Sequence, residues 1–222
     1  MGVDNWKKIA GEYAAQLVKD GMVVGLGTGS TVKHTIKMLG EMELKIRGVA
    51  TSRATERLAK KEKIRLVHPN DAEWIDIAID GADQVGPKHD LIKGGGGAHT
   101  REKIIAAMAR RFVVVVDEGK IVPYFTFPVP VEVMEFNLQG AKRSLEKIGG
   151  HVIVRKRGDG LFRTDNGNRI LDVKFGSMPD AGLMEKRINN IPGVIENGIF
   201  PRRYVSEIII GGKKGVWRYE SG

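Results

Sequence analysis

The sequence contains no cysteine among its 222 residues, which excludes disulfide bonds, thiolate metal sites and a cysteine nucleophile. It also has no uninterrupted apolar run long enough to span a bilayer. Residues 1–8 hold no apolar stretch of the kind that a signal peptide requires. We therefore expect a cytoplasmic protein without membrane contact. The contents of 41% hydrophobic and 28% charged residues are ordinary for a globular domain.

Acidic residues are the scarcer charged type, since 27 aspartates and glutamates face 36 lysines and arginines for a net charge of +9. Such an excess can attract nucleic acid, but the basic residues are spread along the chain without an aromatic and basic signature. The densest cluster, Arg155-Lys156-Arg157, lies beside a glycine turn, and we expect it to be solvated. The charge favours a phosphorylated small molecule over nucleic acid, because it steers an anionic substrate towards its site.

Several known site patterns are missing. The five histidines are scattered without the spacing of metal ligands, and no Gly-x-Ser-x-Gly element accompanies a serine nucleophile. The loop Gly25–Ser30 departs from a dinucleotide fingerprint because Ser30 occupies the third glycine position. No Gly-Lys-Ser/Thr follows it, so it is not a P-loop. A short loop with hydroxyls at a helix N-terminus suits a single phosphate, although it is also compatible with a simple tight turn.

Short apolar segments alternate with helical patterns in the first half of the chain. Several of these segments are apolar on both faces, which is typical of a parallel sheet covered by helices on both sides. The pattern therefore predicts an α/β domain, with a helix over 4–20 and a helix capped by Ser52 among its helices. The predicted strands are 22–27, 46–51, 64–67, 75–79 and 112–117.

The pattern changes at Phe127–Pro130, where two prolines indicate a domain joint rather than a strand interior. The closing hairpin, 205–210 with 216–219, is able to return to the first sheet. We therefore predict a catalytic domain from residues 1–128 plus 203–222 and an inserted α+β domain over 129–202. The inserted domain has the β-α-β-β-α-β order of a ferredoxin-like fold, with elements at 131–135, 138–148, 152–156, 169–175, 178–190 and 194–200.

The glycine run Gly94–Gly97 leaves backbone amides uncovered and leads directly into a helical pattern. Helix N-termini favour bound anions. Lys93 on one side and Glu102 on the other supply a cation and a candidate base for proton transfer. The segment alone is equally compatible with a glycine turn before a helix in which Thr100 is the N-cap. We expect His99 to be an exposed loop residue, with a place in the site as the alternative.

Four polar segments fall at the edge formed by the carboxyl ends of the strands, where open parallel sheets bind ligands. Asp80 and Asp83 stand just beyond one of these strands, where carboxylates can bind sugar hydroxyls, transfer protons or hold a metal. The coincidence of the four segments favours one common site at this edge. The segments are Thr28–Thr31, Asp80–Asp83, Lys93–Glu102 and Asp117–Lys120.

Taken together, these segments resemble the type A ribose-5-phosphate isomerases. The resemblance covers nearly the whole chain in the same order and with fitting spacing. It implies a Rossmann-like parallel-sheet domain with an inserted, smaller ferredoxin-like α+β domain. It also implies interconversion of ribose 5-phosphate and ribulose 5-phosphate without a metal or organic cofactor, by a homodimer or homotetramer. The residues that carry it are Gly25–Thr31, Asp80–Asp83, Lys93–Gly96 with Thr100–Lys103, the turn 164–168, Asp172 and 191–194.

The resemblance also assigns roles to individual residues. Glu102 is implied to move the proton from C2 to C1 through a cis-enediolate, while Lys93 stabilises the negative oxygens. Asp80 and Asp83 are implied to bind the sugar hydroxyls, to assist ring opening and to shuttle protons between O1 and O2. The implied substrate-binding residues are Thr28, Gly29, Ser30, Thr31, Gly81, Ala82, Gly94, Gly95, Gly96, Lys120 and, in the first helix, Lys7.

Two departures from the family and two alternative functions remain. Gln84 stands where the family often has an acidic residue, and His99 where it has a small or apolar one. A sugar-phosphate-sensing domain is one alternative, but it requires a DNA-binding partner segment, and no helix-turn-helix precedes residue 20. A coenzyme A transferase-like enzyme is the other, on the faint likeness of 195–198, which a turn before a strand explains more simply.

Overall fold

The computed structural model describes residues 2–176, 178 and 180–220. Within that part of the chain no helix combines the length and apolarity needed to cross a membrane. The helices are α1 (Val3–Ala15), α2 (Val32–Glu41), α3 (Arg53–Lys61), α4 (His99–Met108), α5 (Leu138–Lys147) and α6 (Ala181–Asn189). The strands are β1 (Val23–Leu26), β2 (Arg47–Ala50), β3 (Arg65–Leu66), β4 (Ile77–Asp80), β5 (Gln84–Val85), β6 (Leu91–Ile92), β7 (Phe112–Asp117), β8 (Val129–Val133), β9 (Gly150–Val154), β10 (Lys156–Arg157), β11 (Gly160–Leu161), β12 (Arg169–Phe175), β13 (Val194–Asn197), β14 (Ile199–Phe200), β15 (Glu207–Gly212) and β16 (Gly215–Glu220).

The chain divides into two compact units. The first unit comprises Met1–Ala82, Arg101–Ile121 and Arg203–Gly222, and the second comprises Asp83–Thr100 and Val122–Arg202. The second unit therefore includes 83–100, which the sequence pattern assigns to the larger domain. The reason is pairing between distant segments, because β6 pairs with both β5 and β14 in a separate sheet.

The first unit is built on a mostly parallel sheet in the order β16-β15-β7-β4-β1-β2-β3. Every neighbouring pair is parallel except the closing hairpin of β15 and β16, which joins the sheet beside β7. The predicted α/β class and the return of the C-terminal hairpin are thus confirmed. The core joins strand residues to the apolar faces of α1 and α2, with Ala10, Ala14, Ile36, Leu39, Val24, Ile79 and Val113 among its buried members.

Helix α1 ends at Ala15, five residues before the predicted end. The chain continues in tight turns, in which the N–H of Leu17 donates to the carbonyl of Ala14 and that of Val18 to Ala15. Val18 nevertheless remains buried in the core. The apolar pattern therefore extends past the helix, which explains the overlong prediction. Helix α3 starts as predicted, since the Ser52 hydroxyl accepts the N–H of Thr55.

The second unit contains a four-stranded antiparallel sheet in the order β13-β8-β12-β9. With α5 and α6 between its strands along the chain, it has the predicted ferredoxin-like connectivity. Pro130 lies inside β8 opposite Asp172, so the prediction of a joint rather than a strand at this proline was wrong. Its carbonyl accepts the N–H of Gly198 at 2.7 Å.

The predicted strand 194–200 is two strands that belong to different sheets. β13 pairs with β8, and β14 pairs with β6. Gly198 stands between the two strands. Only glycine fits this position, because a Cβ there would lie 2.1 Å from the carbonyl oxygen of Lys93. The predicted helix 178–190 is observed as α6, and position 179 of that prediction lies outside the described residues.

Candidate active site

In the first unit, Asp80 holds the loop that follows β1. Its carboxylate Oδ1 accepts the backbone N–H groups of Thr28 at 3.0 Å and Gly81 at 2.7 Å. Gly27 makes this approach possible, since a Cβ there would lie 2.2 Å from Asp80 Oδ1. The Asp80 side chain is 2% exposed at the carboxyl end of β4. The structure therefore brings together the loop and the carboxylate that the sequence predicts at this edge.

The hydroxyl of Thr28 belongs to a cluster of hydroxyls inside the first unit. Its Oγ1 lies 2.9 Å from that of Thr51, 2.8 Å from Ser52 Oγ and 2.9 Å from Thr55 Oγ1. The Thr28 side chain thus anchors the loop to the start of α3. Ser30 is exposed at the tip of the loop, whereas Thr31 is buried immediately before α2.

The first turns of α2 carry positive charge close to this loop. Burial, followed by the nearby ammonium groups of Lys33 and Lys37, lowers the pKa of His34 below its ordinary value. Lys8 of α1 acts in the same direction, whereas Glu12 opposes it. Lys33 and Lys37 thus place positive charge at this end of α2, which suits an anion near the loop.

Glu102 lies in the first turn of α4, and its side chain is 4% exposed. Gly25 of β1 lets this helix lie close to the sheet, since a Cβ on Gly25 would meet Ile105 at 2.6 Å. Helix α4 begins at His99, so Thr100 is inside the helix and the prediction of Thr100 as the N-cap was wrong. The burial of a carboxylate at a helix start gives Glu102 the rigid placement that a catalytic base requires.

Lys120 follows β7 in a short 3₁₀ turn, Glu118–Lys120, and is half-buried. Asp117 orders this turn, because its Oδ1 accepts the N–H of Gly119 at 3.1 Å. Lys7 is half-buried in α1. The carbonyl oxygen of its neighbour Trp6 would lie 2.0 Å from a Cβ on Gly211, the residue that pairs with Asp117.

In the second unit, Lys93 follows β6 and is 2% exposed. Its backbone N–H donates to the carbonyl of Gly198 at 2.9 Å, and its Nζ lies 5.3 Å from the centre of the Phe200 ring. The pairing of β6 with β14 therefore determines where this lysine stands. A buried ammonium group in such surroundings exerts a strong field, because little water screens it.

Asp83 contacts the glycine run directly. Its N–H donates to the carbonyl of Ile92 at 2.9 Å, and its Oδ2 accepts the N–H of Gly95 at 2.7 Å. A Cβ on Gly95 would lie 2.7 Å from Asp83 Oδ1, so only glycine allows this approach. Gly94 and Gly97 have φ angles of 102° and 81°, which favour glycine. Gly81 and Ala82 are half-buried in the chain that joins Asp80 to Asp83.

His99 is fully buried, so the expectation of an exposed loop residue was wrong. Its ring packs against Gly94, and its Nε2 lies 3.3 Å from the carbonyl oxygen of Glu196. Gln84 has a structural role as well. Its amide oxygen accepts the N–H groups of Thr126 and Phe127, both at 2.9 Å. Both departures from the family therefore serve packing within the second unit.

Two supporting residues of the second unit escaped the sequence interpretation. Glu132 is fully buried in β8 and accepts the hydroxyl of Thr100 at 2.5 Å. Arg155 is only 12% exposed and forms an ion pair with Asp172, so the prediction of a solvated cluster was wrong for it. A glutamate among the valines of β8 was a signal for Glu132. No local signal distinguished Arg155 from the exposed Arg157.

Metal-ligating side chains do not cluster in the described residues: no group of three or more histidines, aspartates or glutamates is placed to hold an ion. The predicted site residues offer carboxylates, ammonium groups, hydroxyls and backbone amides.

Comparisons with known proteins agree on one family. The sequence model described as Ribose 5-phosphate isomerase A (phosphoriboisomerase A) matches residues 47–215. Ribose-5-phosphate isomerase A of Thermosynechococcus vestitus is 49% identical over 220 residues, covering 95% of this chain and 92% of the relative. A D-ribose-5-phosphate isomerase structure in complex with phospho-erythronic acid has a TM-score of 0.96 at 42% identity, covering all of both chains. The ribose 5-phosphate isomerase A structure from Methanocaldococcus jannaschii has a TM-score of 0.94 at 45% identity, covering 99% of this chain and 100% of that one.

Proposed function

We propose that this protein, which belongs to the ribose 5-phosphate isomerase A family, interconverts D-ribose 5-phosphate and D-ribulose 5-phosphate. The observation that carries the proposal is the buried carboxylate of Glu102 at the start of α4. The related structure with phospho-erythronic acid supports it, since that ligand has a phosphate and a carboxylate on a sugar-derived chain. An anionic phosphosugar also agrees with the net charge of +9.

Glu102 is proposed as the base. The proton on C2 of the open-chain aldose is weakly acidic, so its removal needs a positioned carboxylate. The electron pair left on C2 forms a double bond to C1, and negative charge develops on O1 of the cis-enediolate. Glu102 then returns the proton to C1, while O1 gains a proton and O2 loses one to give the ketose. Burial of Glu102 keeps water from competing for that proton.

Lys93 is proposed to stabilise the enediolate. Its buried ammonium group acts on the charge that develops on O1 and O2, which is the form of stabilisation that accelerates the chemical step. Asp80 and Asp83 are proposed to bind the sugar hydroxyls, to assist ring opening and to shuttle the proton between O1 and O2. Each is already oriented by backbone N–H groups, Asp80 by those of Thr28 and Gly81 and Asp83 by that of Gly95.

The phosphate is proposed to bind at the loop 28–31. The positive end of α2, the exposed Ser30 and the loop amides support this assignment. The remaining proposed binding groups are Lys120, Lys7 and the backbone of Gly81, Ala82 and the glycine run. Binding of the non-reacting phosphate end holds the reacting carbons in place for the base.

The test is conversion of ribose 5-phosphate by the purified protein in EDTA, with Glu102→Gln measured beside it. We expect wild-type turnover without added metal and a loss of about 10³-fold in kcat for Glu102→Gln. The control variant is Glu41→Gln, which changes an exposed glutamate at the end of α2. Melting curves show that each variant is folded.

Near-wild-type turnover of Glu102→Gln would refute the mechanism. Wild-type protein that binds ribose 5-phosphate in calorimetry without converting it would support the sensor alternative. Loss of both binding and turnover would refute the substrate assignment. Acyl transfer from a coenzyme A thioester would instead support the transferase alternative.

The assembly and location are proposed from the family alone. We infer a homodimer or homotetramer in the cytoplasm that acts on a phosphorylated pentose and uses no organic cofactor. Light scattering coupled to size exclusion measures the mass in solution against the 24.4 kDa of one chain. A monomer that retains full activity would contradict the assembly proposal.

A further inference from the structure

Arg155 donates hydrogen bonds to the backbone of the glycine run in the second unit. Its Nη1 donates to the carbonyl oxygens of Gly94 at 2.8 Å and Gly95 at 3.0 Å. The opposite side of the guanidinium is held by Asp172, with Nε to Oδ2 at 2.8 Å and Nη2 to Oδ1 at 2.5 Å. One planar group thus connects β12 to two successive peptides of the run.

These two hydrogen bonds determine the direction in which the N–H groups of the same peptides point. In a trans peptide, the carbonyl of one residue and the N–H of the next point in opposite directions. The N–H groups of Gly95 and Gly96 therefore both point away from Arg155. That of Gly95 donates to Asp83 Oδ2 at 2.7 Å. That of Gly96 belongs to an exposed residue, and a Cβ built on it would meet no described atom within 4 Å.

We propose that Arg155 is a positioning residue that orients the Gly95 and Gly96 amides, and through them Asp83, towards the substrate. The inference rests on the proposed isomerase function, because it gives a role in that reaction to a residue outside the assigned set. The Gly95 amide orients the Asp83 carboxylate for proton transfer. The Gly96 amide donates to a substrate oxygen, in the manner of successive amides that bind anions.

Only arginine has the geometry for this role. The fork holds both oxygens of Asp172 while the remaining nitrogen serves two carbonyls, whereas a lysine ammonium cannot make these contacts together. Arg157 is a matched comparison in the same stretch of chain. It is exposed and lies over the Phe162 ring at 4.5 Å, a ring that Arg155 also faces at 5.7 Å.

The first experiment compares kcat and KM of Arg155→Met, Arg155→Lys and the control Arg157→Met. We expect both Arg155 variants to lose about 10- to 100-fold in kcat with KM changed less than about threefold, because misplaced catalytic groups slow the chemical step. Arg157→Met should match wild type. Wild-type kcat in a folded Arg155→Met variant, or full rescue by lysine, would overturn the proposal.

A double variant separates positioning from stability. Arg155→Met with Asp172→Leu replaces the ion pair by apolar side chains, a change that is often neutral for stability. We expect it to melt near the wild-type temperature and still to show the reduced kcat. Recovery of wild-type kcat in this double variant would overturn the proposal.

Hydrogen exchange tests the hydrogen bonds between Arg155 and the glycine run independently of turnover. We expect the amides of 94–97 to exchange at least about tenfold faster in Arg155→Met than in wild type or Arg157→Met. Unchanged exchange would overturn the proposal. If the wild-type protein is inactive but Arg155→Met still speeds the exchange of 94–97, the isomerase function is refuted while the ordering of the glycine run by Arg155 is supported. The two failures are therefore distinguishable.

Discussion

Replacing Glu132 by leucine removes the acceptor of a buried hydrogen-bond network in the second unit. The carboxylate accepts the hydroxyls of Thr100 at 2.5 Å and Thr164 at 2.8 Å, and the amides of Asn168 at 2.8 Å and Asn166 at 3.1 Å. Its donors are thus neutral groups from the first turn of α4 and from the turn before β12. Leucine has a similar size, so the expected effect comes from lost acceptors rather than from a cavity.

The size of the effect follows from which donors can reach water. Thr100 and Thr164 are 7% and 6% exposed, whereas Asn166 is exposed and Asn168 half-buried. A buried hydroxyl left without an acceptor costs about 1–3 kcal/mol. Two such hydroxyls lead us to expect a loss of about 3 kcal/mol for Glu132→Leu. For a chain of this length, that loss lowers Tm by about 6–12 °C.

Differential scanning calorimetry measures the change, with Glu135→Gln as the control. Glu135 is exposed and pairs with Arg169 at the surface, so its removal should shift Tm little. Adding Thr100→Val to Glu132→Leu should recover part of the loss, because an apolar pair leaves fewer unmet donors. A decrease in Tm of less than about 2 °C for Glu132→Leu would refute the reasoning.

Three further outcomes are expected. Gly27→Ala places a Cβ 2.2 Å from Asp80 Oδ1, so it should displace that carboxylate and lower kcat at least about 10²-fold, and wild-type kinetics would contradict this. Lys120→Ala should raise KM more than it lowers kcat in steady-state assays, since a cation that binds a non-reacting part of the substrate acts on ground and transition states alike; a fall in kcat alone would contradict it. The hydrogen bond from Arg169 lowers the pKa of Glu135, so its contribution to stability is present above the ordinary glutamate range and disappears as pH falls through the lowered pKa. The small Tm difference between wild type and Glu135→Gln should therefore be largest near neutral pH and vanish in acid, and a difference that grows in acid would refute the linkage.

The proposed site was predictable where the chemistry follows strand ends. Asp80 at the end of β4, the loop after β1 and the turn after β7 occupy the edge that the α/β pattern indicates, since parallel strands end on the same side. The burial of Lys93 was not predictable, because it depends on β14, more than a hundred residues later in the chain. The hydrogen bonds of Arg155 to the glycine run were not predictable either, because they join residues 61 positions apart.

Elements whose cause is local could be predicted from the amino-acid sequence. Strand β7 was predicted with its observed bounds, because five apolar residues in a row followed by Asp117 have the length and composition of a buried strand. The Ser52 cap of α3 and the ferredoxin-like order of the second unit likewise follow from short-range hydrogen bonding and periodicity.

Features that depend on residues distant in the chain became visible only in the folded structure. Pro130 lies in β8, which pairs with β12 and β13 from much later in the chain, and His99 is buried where Gly94 leaves room for its ring. Arg155 and Arg157 have the same side chain two positions apart, yet only the former meets Asp172 and the glycine carbonyls. A residue's type determines which contacts it is able to make, whereas burial and hydrogen-bond partners are determined by which segments the fold brings together.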